Sequence, residues 1–406
     1  MESPTIQNIL QEHYGTYERS HKIQDHVRAA VQAMLNCRTE ALGGHKQICP
    51  DGHYTRIWYN SCKHRSCPQC AYIQTRQWLQ AQQERLLGCD HYHGIFTIPH
   101  DLNDLWRYNM PVMANLLFRT VKKVLFELLA DPRYLGATPA VILALHTWGQ
   151  SLILHPHIHC LISGGGWHEG EWKGVKNGFL VPVVVLMERF RAEFVKVLRR
   201  NLDTGELLVP PDRDRAGLEA IFTRVEKRKW NVHIRERYPH GEGVANYLAR
   251  YLKGGPIGNS RLLPAPEGKV RFSYINNHDK DEAGRGKPDI LTLPAERFLQ
   301  RLLQHIPASR MQMVRSYGLY ASAKAEQLDQ CRQWLGQAPV EKAQPKSWQD
   351  ECADSGEAHP ECCPVCGKRL IRAEEIPAKK AKRKLPAMKK GLDPLPGLRP
   401  GSAYAP

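Results

Sequence analysis

The sequence predicts an α+β fold in which helices cover a mainly antiparallel sheet. Runs with strand-like apolar spacing and runs with helix-like spacing are mixed along the chain, with short loops between several strands. Two β-rich runs lie only six residues apart, PAVILALHTWGQ (139–150) and HIHCLISGGG (157–166). A connection this short is typical of antiparallel neighbours, because a parallel crossover needs a dozen or more residues.

The other elements follow from apolar periodicity and from the positions of proline and glycine. Helical spacing recurs, and strand-like runs alternate with it. The predicted helices lie within 1–36, 71–88, 105–130, 185–202, 243–255 and 294–306, and the further strands at 93–99, 230–238 and 270–277. Pro111 falls inside one helix and predicts a start or a kink there. Beyond about residue 325 the sequence is polar and rich in proline and lysine, which predicts a largely disordered tail.

The composition favours a polyanionic partner and a reducing compartment. The formal net charge is +16, and the most common partner of so basic a protein is nucleic acid. No window approaches the ~20 apolar residues that cross a bilayer, and no secretory h-region is evident near the start. We therefore expect a cytoplasmic protein without a membrane partner, whose clustered cysteines, among twelve in all, bind metal.

The segment HPHIHC places His157 and His159 on one face of a strand, with Ile158 on the other. Two neutral imidazoles at this spacing can share a divalent ion. We predict Gln150, at the end of the preceding strand, as the third ligand, with His146 as a weaker candidate. Nitrogen and hard oxygen donors with open positions suit Mg²⁺ or Mn²⁺. The alternatives are buried histidines satisfied by hydrogen bonds, and a zinc hydrolase site.

Tyr247 and Tyr251 lie four residues apart in NYLARYLKGG, a spacing that puts both phenols on one face of a helix. A tyrosine hydroxyl can attack a phosphodiester and hold the product covalently, with help from a nearby cation. Arg250 and Lys253 on the same helix are positioned to contact the DNA backbone. The alternative is a pair of aromatic core residues.

Residues 37–70 are dense in zinc-ligand side chains. The pair Cys67 and Cys70 has the spacing of a zinc knuckle. One arrangement combines it with Cys49 and His53 and builds a second site from Cys37, His45 and Cys62, while a single site is an equally open alternative. Lys63 and Arg65 among these ligands predict DNA contacts.

A second pair, Cys363 and Cys366, stands in the predicted tail. Its candidate partners on sequence grounds are Cys352, His359 and Cys362, and no second knuckle is recognisable among them. The remaining cysteines, Cys89, Cys160 and Cys331, are interpreted as small hydrophobic residues.

Taken together, these motifs resemble the two-tyrosine HUH nucleases, in which U is a bulky apolar residue. The closest resemblance is to insertion-sequence transposases that move by rolling-circle replication. Residues 146–166 resemble the histidine block of that family, 244–257 its tyrosine block and 298–321 its closing segment, and 37–45 and 59–70 resemble its N-terminal zinc region. The likeness spans about residues 10–325, and ordered blocks are more specific than any single motif.

The resemblance implies a palm with a split βαβ unit that carries His157 and His159 on a central strand, with Tyr247 and Tyr251 on a helix beside it. It implies cleavage of single-stranded DNA at transposon ends, a 5′-phosphotyrosine link and a free 3′-OH. Gln150 as a ligand follows by analogy with nucleases that place an oxygen donor just upstream. The implied cofactors are a catalytic Mg²⁺ or Mn²⁺ and one or two structural zinc ions.

The predicted organisation has three parts. Residues 1–90 form a zinc-binding DNA-recognition domain, 91–325 the catalytic domain and 326–406 a basic tail with a zinc-knuckle candidate. The alternative functions are a rolling-circle replication initiator or relaxase, and a non-catalytic zinc-dependent nucleic-acid-binding protein. The sequence does not define the oligomeric state.

Overall fold

The computed structural model describes residues 4–238, 255–340 and 359–379, together with residues 347 and 349. Within these ranges the helices α1 to α8 span Ile6–Ser20, Asp25–Asn36, Pro68–Arg85, Asn103–Ala130, Val183–Asp203, Arg215–Glu226, Ala295–Leu303 and Ala325–Trp334. The strands β1 to β12 span Gly44–Ile48, Thr55–Tyr59, His91–Thr97, Thr138–Trp148, Leu154–His168, Glu171–Gly174, Val232–Tyr238, Leu262–Leu263, Lys269–Lys280, Gly286–Pro294, Val314–Gly318 and Ile371–Ile376.

The central sheet has the strand order β11-β4-β5-β3-β7, and β6 pairs with the end of β5. All neighbours in it are antiparallel. Because β3 and β4 are both antiparallel to β5, they run parallel to each other, and α4 is the crossover between them. This is a split βαβ unit with β5 inserted at its centre. The predicted α+β class and the antiparallel pair of neighbouring strands are confirmed.

Strand β5 divides its side chains between two cores. Ile158, Cys160 and Ile162 are fully buried in the core that α4, α5 and α6 form with the sheet. Leu161 faces the opposite side, where it packs with side chains of α3 and α8. The sheet is therefore covered on both faces, and a polar side chain beside Leu161 is shielded from bulk water.

Helix α4 is kinked near Pro111, as one of the two alternatives predicted. Asn109 has non-helical backbone angles (φ −129°, ψ 28°), two residues before Pro111. The Asn109 side chain donates hydrogen bonds to the carbonyls of Leu105 and Leu208, at 3.0 and 2.9 Å. A proline inside a helix removes one backbone donor and kinks the helix, and the Asn109 amide satisfies the carbonyl of Leu105 beside the kink.

The prediction of a disordered tail beyond residue 325 was wrong in part. Residues 325–334 form α8, where Leu328 and Cys331 are buried against the sheet. Residues 371–376 form β12, which pairs antiparallel with β1 in a three-stranded sheet of order β12-β1-β2. The sequence gives no sign of this pairing because its two partners lie more than 300 residues apart, at positions such as Gly44 and Ile376.

The first two helices do not form a domain by themselves. Helices α1 and α2 share a buried core with α7 and with the sheet β10-β9-β8. This core includes Phe272 of the sheet and Phe298 and Leu299 of α7. The predicted boundary near residue 90 therefore crosses a continuous core. Among the described helices, none is both long enough and apolar enough to cross a membrane.

The turn between β4 and β5 is held by these C-terminal elements. Leu152 is fully buried in their core with a left-handed backbone (φ +62°). Its carbonyl accepts a hydrogen bond from His305 Nε2 at 3.1 Å. The carbonyls of Ser151 and Gln150 accept from Arg301 (2.9 Å) and Arg261 (2.7 Å). Three successive carbonyls are thus satisfied by side chains, and this fixes the end of the β4–β5 hairpin.

His305 makes the stability of this anchor depend on pH. Burial lowers its pKa to about 4, against roughly 6.5 for an exposed histidine. As the pH falls below ~6.5 the unfolded chain takes up this proton first, so the folded state loses stability until the pH passes below the folded pKa. His305→Gln should be less stable than the wild type near pH 7.5, because bonds to Thr147 and Leu152 are lost. The difference in free energy of unfolding between the two proteins, measured with urea, should decrease towards about pH 5. A difference that stays constant with pH would contradict the role of His305.

Candidate functional site

Three histidines meet on the shielded face of the central sheet. His157 and His159 are buried on β5, and His146 lies directly opposite His157 on β4. The Nε2 atoms of His157 and His159 are 3.0 Å apart. One ring nitrogen from each of the three residues lies within 4.8 Å of the others. The hairpin register therefore gathers three imidazoles at one point.

Hydrogen bonds orient the two rings on β5. His157 Nδ1 lies 2.6 Å from the carbonyl of His155, which can only accept, so Nδ1 carries the proton. In the neutral ring this leaves the lone pair on Nε2, which faces His159. His159 Nδ1 lies 3.0 Å from Nε2 of His93, a buried residue on β3. If His159 is the donor to His93, its Nε2 also carries a lone pair, and this is the tautomer that a metal ligand needs.

Burial keeps these imidazoles neutral. It lowers the pKa of His157 to about 3 and that of His159 further still, and the neighbouring histidines add to the effect. A neutral ring with a free lone pair binds a cation, whereas an imidazolium cannot. Two nitrogens held at ~2.1 Å from one ion lie roughly 3.0–3.4 Å apart, so the observed 3.0 Å fits a shared ion.

The predicted third ligand, Gln150, sits in the exposed turn beyond the end of β4, where its carbonyl accepts from Arg261. Its role as a ligand stays a prediction. His146, the weaker candidate on sequence grounds, occupies the position beside the pair. His155 has its ring 5.0 Å from that of His157 and contacts His100, with 2.9 Å between ring nitrogens.

Four cysteines form a second candidate metal site at the start of α3. Their sulfurs lie 3.4 Å (Cys37–Cys70), 3.6 Å (Cys62–Cys70) and 3.7 Å (Cys37–Cys67) apart. Four sulfurs at ~2.3 Å around a tetrahedral zinc are separated by about 3.75 Å, so the cluster fits zinc. The amide of His64 donates to the sulfur of Cys62, and hydrogen bonding by the Cys62 thiol lowers the pKa of Cys67 to about 5.

The predicted grouping of the other zinc ligands was wrong. Cys49 and His53 lie at the turn of the β1–β2 hairpin, whereas Cys37 and Cys62 flank its open end, about 13 Å away along five-residue strands. Cys49 and His53 instead meet Cys363 and Cys366 of the C-terminal segment. His45 is buried in the middle of β1 and belongs to neither group of ligands among the described residues.

The two predicted DNA contacts in this region differ. Lys63 is exposed in the loop before α3. The guanidinium of Arg65 is half-buried and donates to the carbonyls of Ala308 (2.7 Å) and Met311. Arg65 therefore ties the four-cysteine site to the loop before β11 and does not present its guanidinium to a phosphate.

The predicted tyrosine helix lies outside the described residues, as do Tyr247, Tyr251, Arg250 and Lys253. The described residues on either side of this segment are Tyr238 and Gly255. Tyr238, at the end of β7, has its ring 6.4 Å from the ring of His93. Gly255 helps to line a cavity of about 370 Å³ whose wall also includes His146 and Trp148.

Comparisons with known proteins agree with this geometry. A family model described as a putative transposase matches residues 140–327, and one described as a transposase zinc-binding domain matches residues 9–98. A putative transposase y4qJ from Sinorhizobium fredii is 32% identical, over 92% of this chain and 95% of the relative. The chain belongs to the IS91 family of transposases. The transposase for insertion sequence element IS801 from Pseudomonas savastanoi pv. phaseolicola is 30% identical, over 72% of this chain and 70% of the relative. No solved structure matches.

Each of the two matched regions of the transposase contains one of the candidate metal sites. The zinc-domain match contains the whole four-cysteine site, and the second match contains all three clustered histidines. Transposases cleave and join DNA, which agrees with the basic composition. Sequence reasoning missed His93. Its signal was a second H-x-H pattern, His91 and His93, on the neighbouring strand.

We expect His93 to position His159 as a ligand. His93→Ala should weaken Mn²⁺ binding by roughly 10–100-fold, because residues that orient metal-bound histidines have effects of this size. His93→Gln, whose amide oxygen can accept from His159 Nδ1, should recover part of the loss. The measurement is Mn²⁺ titration followed by electron paramagnetic resonance, with the exposed His278→Ala as control. Equal Mn²⁺ affinity in His93→Ala and wild type would contradict the assignment.

Removal of one cysteine from the four-cysteine site should cost zinc and local folding. Cys67→Ser or Cys70→Ser should lower the zinc content by one ion per chain and expose the segment 37–70 to protease, because structural zinc contributes folding free energy. Elemental analysis and limited proteolysis measure both effects. Cys89→Ser, outside every ligand group of the described residues, is the matched control. Zinc content that stays at the wild-type level in Cys67→Ser would contradict the site.

Proposed function

We propose that this transposase nicks and joins single-stranded DNA at transposon ends through 5′-phosphotyrosine intermediates. The observation that carries the proposal is the cluster of His146, His157 and His159, whose ring nitrogens can share one ion. Membership of a transposase family supports cleavage and joining of DNA. The relation to single strands and to tyrosine chemistry rests on the motifs.

In this proposal the three imidazoles would hold a divalent cation, which would supply positive charge at the scissile phosphate. His157 and His159 are fixed by their hydrogen bonds to a carbonyl and to His93, so their lone pairs need no reorientation. Three imidazoles form a more nitrogen-rich donor set than the one predicted from Gln150. Of the two predicted ions, Mg²⁺ and Mn²⁺, imidazole ligands suit the less hard Mn²⁺ better, so we favour Mn²⁺ as the cofactor.

Tyr247 and Tyr251 are the proposed nucleophiles. Attack forms a bond between a tyrosine oxygen and phosphorus and breaks the bond from phosphorus to the 3′ oxygen. The tyrosine loses its proton, and the departing oxygen gains one. A phenol with a reference pKa of ~10 needs help to react near neutral pH, and a cationic site beside the phosphate supplies that help. The phosphotyrosine preserves the bond energy, so a later attack by a 3′-OH can join strands without an external energy source.

Two tyrosines in one segment permit two successive cleavages. The first holds the 5′ end of the donor strand while the second acts at another site. Arg250 and Lys253 are the proposed contacts to the DNA backbone near this reaction, and Lys63 is one in the zinc-binding region. The proposed partner is therefore single-stranded DNA at transposon ends and targets, and the proposed place of action is the bacterial cytoplasm, at the nucleoid.

A replication initiator or relaxase would share the same chemistry and differ in its DNA target. The matches to two transposases extend over 95% and 70% of those proteins, and this favours transposition. In a non-catalytic DNA-binding protein the histidines would be core residues joined by hydrogen bonds, such as the 3.0 Å contact between the Nε2 atoms of His157 and His159. Cleavage of an oligonucleotide from a transposon end separates the catalytic functions from the non-catalytic one.

We expect the double variant Tyr247→Phe/Tyr251→Phe to form no covalent adduct with a single-stranded oligonucleotide. Each single variant should keep some cleavage and lose transposition, since one tyrosine cannot complete two cleavages. A denaturing gel measures the adduct, and mass spectrometry locates it. Tyr274→Phe is the matched control, since this hydroxyl donates to Asp289 on β10. An adduct on a residue outside 239–254 would contradict the assignment of the nucleophiles.

We expect His157→Ala or His159→Ala to reduce cleavage to background while much of the DNA binding survives. Binding persists because many lysines and arginines contribute phosphate contacts. Cleavage and filter binding should be compared in parallel, with His168→Ala, exposed at the end of β5, as the control. Full cleavage by either variant, or by the wild type in EDTA, would show that the cluster is not the metal site.

A further inference from the structure

We infer that Cys49, His53, Cys363 and Cys366 bind a second structural zinc, which fastens the C-terminal segment 359–379 to the N-terminal zinc-binding region. One ligand atom from each of the four residues lies within 4.8 Å of the others. Cys49 Sγ is 3.5 Å from Cys366 Sγ and 3.9 Å from His53 Nδ1. The matched zinc-binding domain covers residues 9–98, so half of these ligands lie outside it.

Each half of the site is a tight turn that presents two ligands. In the first, the amide of Cys49 donates to the carbonyl of Tyr54, and Gly52 adopts a left-handed backbone (φ +77°). In the second, the amide of Cys363 donates to the carbonyl of Lys368, and Gly367 has φ +72°. Cys363-Pro-Val-Cys366-Gly367 is thus a knuckle, in which two thiolates project from one side of a reversed chain.

The backbone and charges around the two turns already hold them together. Strand β12 pairs with β1 directly after the knuckle. Lys368 bridges to Asp51 at 2.8 Å, and Lys379 bridges to Glu40 at 2.6 Å. These ion pairs are exposed, and exposed pairs contribute little stability. They fix which surfaces meet and leave most of the binding energy to be supplied by another interaction.

The apolar contribution at this contact is too small to supply that energy. The buried hydrophobic residues of the local cluster are Cys49, Cys363 and Leu370, and two of these three are themselves proposed ligands. Val365 and Ile371 beside them are 68% and 51% exposed. Small modules without a sufficient core are usually held by metal or disulfides. Zinc also closes a loop of several hundred residues here, and such a cross-link lowers the conformational entropy of the unfolded chain.

Zinc binding would release the three thiol protons and leave His53 neutral, giving a site of three sulfurs and one nitrogen. The chemistry differs from that of the first cluster, which offers four sulfurs. The two sites can therefore be told apart by their donors as well as by their number. The second zinc would hold the chain as far as Lys379, which bridges to Glu40, beside the N-terminal zinc-binding region.

The test is the zinc content of the full chain by native mass spectrometry and elemental analysis. We expect two zinc ions per wild-type chain and one in Cys363→Ser/Cys366→Ser. Cys362→Ser, adjacent in sequence but outside the ligand group, should keep two. The double variant should also release residues beyond 358 to protease while the four-cysteine site keeps its ion. One zinc per wild-type chain, two in the double variant, or a disulfide in place of the metal would overturn the inference.

A second measurement does not depend on the variants folding. X-ray absorption at the zinc edge of wild-type protein averages over all bound ions. With both sites filled we expect about 3.5 sulfurs and 0.5 nitrogen per zinc, whereas the four-cysteine site alone gives about 4 sulfurs. A shell of sulfur alone would overturn the inference.

Discussion

The antiparallel register of β4 and β5 is the constraint on which the rest of the site depends. It sets His146 opposite His157, and the period of two along β5 adds His159. The register is pinned at its end by Leu152, which inserts into the core of α1, α2 and α7 and accepts a hydrogen bond from His305. The histidine cluster is therefore held by the central sheet and by the elements that surround the N-terminal helices. Loss of either would change the distance between three imidazoles that must meet within a few ångströms.

Local periodicity was enough to predict β3, β4, β5, β7 and β9, most helices and the shared face of His157 and His159. It did not show which residue of β4 stands opposite His157. Between His146 and Trp148 the ladder shifts by one residue, and the extra residue lies on β5 near Pro156, which has no amide to donate. The turn that carries Gln150 is held by Arg261, Arg301 and His305, which are distant in sequence.

The cysteines also show that local sequence patterns do not predict which distant residues meet. Spacing identified Cys67 and Cys70 as a pair, because two thiolates across one turn are a local feature. Spacing could not decide which ligands share an ion, because the β1–β2 hairpin separates those at its turn from those at its open end. The partner knuckle, Cys363 and Cys366, arrives through pairing of β12 with β1. A strand at the far end of the chain has no sequence signal that names its neighbour, so the tail was predicted to be disordered.

The central claim is that the three-histidine cluster and the tyrosine segment face the same point. Fe²⁺ exchanged into the divalent site can test it, since ascorbate and peroxide then generate hydroxyl radicals that cut the nearest backbone. Imidazole ligands accept Fe²⁺ readily, and zinc retained at the cysteines has no redox chemistry. Mass spectrometry of the fragments should map cuts near residues 146 and 157 and within 239–254, and His157→Ala should lose them together. Cuts near the histidines without any cut in 239–254 would contradict the claim.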